Sequence, residues 1–143
     1  MNNMKRVSSI IFAVGLLFLA CSSGEDIPNM PSILLDGRIS VFNHTGYPIR
    51  LFDFTHQRWS DEHQLVLNVR VYPNSTYRLR NLIDEGDTDI FPGGDHVWIK
   101  FVSDVSDPEN PDRPLFENTA NLIVNGNNTI SVKSGGEYSI GPG

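Results

Sequence analysis

The sequence predicts an all-β protein, a single sandwich of seven or eight short strands. Three observations carry that expectation. From Gly37 onward the apolar residues alternate with a period of two rather than 3.6. The alternating runs recur at a spacing of roughly 8–12 residues and are separated by Gly, Pro, Asn and Ser. No segment after residue 25 carries an apolar helical stripe with capping residues at its ends. An immunoglobulin-like or transthyretin-like β-sandwich is the expected architecture. A small closed β-barrel is the alternative, because periodicity alone does not separate the two. The lack of a Cys…Trp…Cys pattern excludes only the disulfide-bonded antibody type.

Each element can be read in order. Arg38–Asn43 and Ile49–Phe54 are strands joined by the turn Thr45-Gly46-Tyr47-Pro48. Gln64–Tyr72 alternates most clearly, with Leu65, Leu67, Val69 and Val71 in one phase and Val66, Asn68, Arg70 and Tyr72 in the other. Between these runs, Asp61-Glu62-His63 could form one helical turn at most. Pro73-Asn74-Ser75 leads into a strand at Thr76–Leu82. Val97–Val102, Leu115–Val124, Thr129–Lys133 and Tyr138–Ile140 complete the set. Asn125-Gly126 is read as a two-residue hairpin, since both positions tolerate positive φ, and Ser134-Gly135-Gly136 as the last turn. Asn43-His44-Thr45, Asn74-Ser75-Thr76 and Asn127-Asn128-Thr129 match glycosylation sequons but are read here as turn chemistry.

The N-terminus has a different character. Lys5 and Arg6 precede Ile10–Ala20, an unbroken run of 11 small or apolar residues. That is shorter than the about 20 residues a bilayer-spanning helix needs, and it fits the apolar region of an export signal. At its end, Phe18-Leu19-Ala20-Cys21 resembles a lipobox, the recognition site of the bacterial lipoprotein signal peptidase, with Phe18 where Leu is commoner. The resemblance implies diacylglycerol on the Cys21 thiol and cleavage before Cys21. It also implies acylation of the new amino group, with several chains giving stable anchoring. Cys21 is the sole cysteine, so no disulfide forms within the chain, and its place between signal and linker argues against a catalytic thiol. Ser22 after the cysteine, followed by Ser23-Gly24-Glu25-Asp26, is similar to the sorting tether of small Bacteroidota surface lipoproteins that carry a β-sandwich. The resemblance implies a lipid anchor in the outer membrane, exposed at the cell surface. The expected organisation is a signal peptide at 1–20, a lipid-anchored flexible tether at 21–36, stiffened by Pro28 and Pro31, and the β-sandwich domain at 37–143.

Composition narrows the function. Removal of residues 1–20 takes away two basic residues and no acidic one, moving the net charge from −6 to −8. An acidic domain of this kind lacks the clustered Lys and Arg that meet nucleic acid. Residues 36–80 hold six Arg against four acids, whereas residues 84–117 hold ten acids against Lys100 and Arg113. The acidic stretch offers hard oxygen ligands at Asp84, Asp87 and Asp89, alternate or nearby residues that could converge on Ca2+. Neither acidic loop has EF-hand spacing, so the expectation is no cofactor, with Ca2+ at those three residues as the alternative. On the strands, Arg70, Tyr72 and Trp98 occupy the outward phase together with Arg78 and Arg80. Trp59 lies in a polar loop; with Tyr72, Trp98 and Arg70 it forms the candidate ligand-binding set, suited to stacking on a sugar ring or a flat protein contact. The competing reading of these residues is cross-strand pairing on a solvated sheet.

No nucleophile elbow, phosphate-binding loop or spaced metal signature is present, and the four histidines form none. The expectation is therefore a non-enzymatic binding or assembly module, held to the membrane by its lipid and meeting a glycan or protein partner at the cell surface. An accessory carbohydrate-binding lipoprotein and a small hydrolase using the acidic-loop carboxylates are the alternatives.

Overall fold

The computed structural model describes residues 33–86 and 88–143, so the export signal, Cys21 and Asp87 lie outside the described residues. Eight strands follow one another: β1 (Ile39–Asn43), β2 (Ile49–Arg58), β3 (Asp61–Val71), β4 (Thr76–Arg78), β5 (His96–Ser103), β6 (Glu117–Ile123), β7 (Asn128–Val132) and β8 (Tyr138–Pro142). They form two four-stranded sheets, ordered β4-β1-β7-β8 and β3-β2-β5-β6. Among the described residues only β1 and β7 run parallel, and the other strand pairings are antiparallel. The two sheets stay separate, so the fold is a sandwich and not the closed barrel that periodicity alone left open.

The alternation visible in the sequence becomes the two faces of each sheet. Val97, Ile99 and Phe101 of β5 point inward, and His96, Trp98 and Lys100 lie on the opposite, half-buried face. Ile39 and Val41 of β1, Ile49, Leu51 and Phe54 of β2, and Ile130 and Val132 of β7 join the same core. Phe101 meets Tyr138 of β8 edge to face at 6.4 Å, one contact that ties the two sheets together. Each fully buried side chain of this size contributes about 1.5–3 kcal/mol of transfer free energy.

The connections depart from the expected pattern. Thr45–Pro48, Pro73–Ser75 and Asn125–Gly126 carry the chain between sheets, since β1 and β2, β3 and β4, and β6 and β7 belong to different ones. Asn125-Gly126 is thus no hairpin. Gly126 does take positive φ, at 70°, but its amide donates to the Leu35 carbonyl at 2.7 Å, while Asn125 Oδ1 accepts the Leu35 amide. Gly37 is held against this turn so closely that a Cβ would lie 2.0 Å from Gly126 backbone atoms. The compact unit accordingly begins at Leu34.

A two-residue hairpin does form between β2 and β3, closed by Trp59 and Ser60 between paired Arg58 and Asp61. Asp61-Glu62-His63 is extended strand, not a helical turn, because it pairs residue by residue with the end of β2. At the first crossover, buried Asn43 donates to the carbonyls of Tyr47 (2.7 Å) and Val71 (2.8 Å). Its Oδ1 accepts from the Thr45 amide and hydroxyl. The first sequon-like triplet is therefore turn chemistry, with its side chain sealed inside.

Candidate binding groove

The groove arises from unequal strand lengths at one margin of the sandwich. β3 runs for 11 residues, whereas β4 runs for three. The sequence pattern extends β4 to Leu82, but the strand stops at Arg78 and the chain turns at Asn81. There the side-chain carbonyl accepts the amides of Ile83 (3.0 Å) and Asp84 (3.1 Å). Its amide donates to Asp84 Oδ2 and to the Ile90 carbonyl, both at 2.7 Å. An Asn that satisfies its neighbours' backbone in this way competes with the ladder and turns the chain. Leu65 and Leu67 of β3 are left without full cover. Between them and residues 77–86 lies a half-open groove of about 370 Å3. Phe54 and Leu79 form its floor, Leu65, Leu67, Tyr77 and Leu82 line it, and Arg80 and Asp84 stand among its polar atoms.

A polar network running from buried His56 and Asp95 out to exposed Asp84 holds one lip of this groove in place. Arg58 grips Asp84 with both terminal nitrogens, at 2.7 and 3.1 Å, and turns its Nε to Asp95 at 3.0 Å. Asp95 lies 2.8 Å from Nε2 of His56, which is wholly buried beside Phe54 and Phe91. Nδ1 of His56 accepts the Leu82 amide at 3.3 Å. That lone pair is therefore occupied, so Nε2 carries the proton and donates to Asp95. Burial pushes the His56 pKa down, against the raising effect of Asp95, and keeps the ring neutral. The Arg58 guanidinium holds the Asp84 carboxyl below its ordinary range, with Asn81 assisting. Charge-assisted bidentate pairs of this kind fix geometry as well as contributing energy. Both His56 nitrogens are engaged and the ring is sealed off, so the groove offers an apolar surface with a rigid charged lip.

The residues expected to bind metal take other partners. Asp84 belongs to Arg58 and Asn81. Asp89 accepts from Arg38 and Arg78, both at 3.1 Å, and these contacts lower its pKa against the opposing effect of desolvation. Asp87 lies outside the described residues. Among the described residues, no cluster of three or more His, Cys, Asp or Glu is placed to hold a metal ion.

The residues expected to bind a ligand do not converge. Trp59 tops the β2–β3 hairpin, 89% exposed. Tyr72 follows the far end of β3, eleven residues beyond Asp61 and hence about 36 Å along the strand. Trp98 sits on the outer face of β5 against His96, ring centroids 5.0 Å apart. Arg70 pairs with Asp104. Arg78 lies on the other sheet, so the guanidinium groups do not share one face with Arg70.

Sequence reasoning missed His56 and Asp95. The available signal was His56 itself, two residues after Phe54 in the apolar phase of β2. A titratable side chain at a core position must find a partner. The chain matches no protein-family model and no curated protein.

Proposed function

We propose that this chain is an outer-membrane lipoprotein, anchored through Cys21, whose sandwich serves as a non-enzymatic binding or assembly module acting through its β3 margin. The observation that carries the reading is the groove beside β3. Leu65 and Val66 are 45% and 69% exposed on an edge strand whose outer side has no neighbour among the described residues. Exposed apolar surface beside an unpaired strand edge is what peptide-recognising and assembling sandwiches use. The rigid Arg58–Asp84 lip supports the reading, because a preformed groove loses less entropy on binding than a mobile one.

Two experiments test the two halves of this proposal. Cells labelled with a palmitate analogue should incorporate it into the parent chain and not into Cys21→Ser; equal incorporation would remove the anchor. A photoreactive residue placed at Leu65, in cells, should give a covalent adduct. The same residue at Leu115, distant along the fold and also part-exposed, should give none. No adduct at Leu65 would remove the β3 margin as the binding surface.

A further inference from the structure

The residues of β3 are self-complementary, and we propose that the partner at this margin is a second copy of the same chain, paired antiparallel through β3 about a two-fold axis at Val66. This rests on the reading of the β3 margin as a binding surface and names its partner. In that register Val66 faces Val66 of the second copy, and Leu65 faces Leu67. Gln64 faces Asn68 and Glu62 faces Arg70, each pair occurring twice by symmetry, as an isologous interface requires.

Three features of the strand favour this register over others. First, the charges are divided: Asp61 and Glu62 stand at one end of β3 and Arg70 at the other. Antiparallel pairing about Val66 sets opposite charges against each other, whereas parallel in-register pairing sets Glu62 against Glu62. Opposed charges across strands are favourable and like charges are not, by roughly 0.2–1 kcal/mol per pair. Second, the side chains that would meet at the centre are the exposed apolar ones, Leu65 and Val66, and the amides flank them. Third, burial alternates along β3 from Leu67 to Val71, although β3 carries one residue more than β2 between the pairs Leu51–Val69 and Asp53–Val66. Asn68 and Arg70 therefore share the exposed face, where Arg70 keeps 44% of its side chain exposed beside Asp104. On the other face, Leu65 and Leu67 of both copies would come together over the two grooves. Pairing would turn two four-stranded sheets into one continuous eight-stranded sheet and remove the exposed edge that natural β-proteins otherwise guard.

The test uses the full chain in its own membrane. Val66→Cys, oxidised mildly and run without reductant, should give a covalent dimer at twice the monomer mass, because opposed Cβ atoms lie within about 5.5 Å. The parent chain, which has Cys21 alone, should not, and neither should Ile123→Cys on the opposite edge strand β6. Adding Glu62→Arg or Arg70→Glu to Val66→Cys should each reduce the dimer about tenfold, and both together should restore it. Restoration cannot come from folding, since the double variant still lacks the native Arg70–Asp104 pair. Absence of the Val66 dimer, equal crosslinking through Ile123→Cys, or failure of the double swap to restore it would each overturn the proposal. An adduct at Leu65 of some other mass, without the Val66 dimer, would keep the β3 margin as a binding surface and remove the second copy as its partner.

Discussion

Strands β5 and β3 lie in the same sheet and carry the same alternation, yet they end in opposite circumstances. β5 has a neighbour on each side, β2 and β6, and its inward residues Val97, Ile99 and Phe101 are at most 1% exposed. Among the described residues β3 has one neighbour, and its Leu65 is 45% exposed although it shares the inward phase. Alternation decides which way a side chain points; the facing sheet decides whether anything covers it. Where β4 stops after three residues, the apolar phase of β3 becomes surface. A core strand and a docking strand can thus be written in one pattern.

The largest expected effect tests that contrast directly. Phe101→Ala should lower the unfolding free energy of the sandwich by about 3–5 kcal/mol, because the cavity adds to the lost transfer energy. Leu65→Ala should cost less than about 1 kcal/mol in the monomer, while removing apolar surface from the groove. Urea unfolding of the two variants measures both. A Leu65→Ala cost that matched Phe101→Ala would mean that β3 is covered as β5 is, and the comparison would fail.

The next effect concerns what holds the lip of the groove. The native pKa of His56 is depressed below its ordinary value of 6.5. The unfolded chain therefore takes up the proton first as pH falls. Stability from this group is full above about pH 6.5, declines below it, and levels once pH passes the lowered native value. Asp84, depressed by Arg58, adds a second loss at more acid pH, as the carboxyl is protonated. His56→Gln keeps an amide donor for Asp95 and an oxygen to accept from Leu82, and does not titrate. Unfolding midpoints measured from pH 7.5 downward should lose the decline that begins near 6.5 in this variant. A slope identical to the parent's would show that His56 is not the group responsible.

Much of this architecture is legible in the residues. Each of the eight strands overlaps an alternating run, since turn residues and period two are local properties, but β2 and β3 run longer than expected and β4 shorter. The connections were less legible. Asn125-Gly126 has the composition of a hairpin, but what it does depends on Leu35 and Gly37, about 90 residues away in the chain. The β2–β3 hairpin is hidden for the converse reason: Trp-Ser is not a sequence that favours positive φ, so nothing local marks the turn. The groove could not be read at all, because it depends on where β4 ends relative to β3. Past Arg78, Asn81 turns the chain away by bonding residues up to nine positions ahead. The expected aromatic cluster failed on distance, since a shared phase places Trp98 and Tyr72 on one face without bringing them together.

The smallest effect belongs to the hairpin that joins the two halves of this comparison. Trp59 has φ of 50°, the only positive value in its two-residue loop. That matches a type II′ turn, whose first position is normally glycine. A bulky residue there carries backbone strain of order 1 kcal/mol or more, and Trp59, 89% exposed, gains little burial in return. Trp59→Gly should therefore leave the urea midpoint unchanged or raise stability by up to about 1 kcal/mol. A loss instead would mean that the ring packs on the Pro92–Gly94 turn, which borders the same small hollow. If stability rises, the indole is retained at a glycine position against its conformational preference. Its use would then lie in what it presents to solvent, at the tip of the hairpin whose second strand is β3.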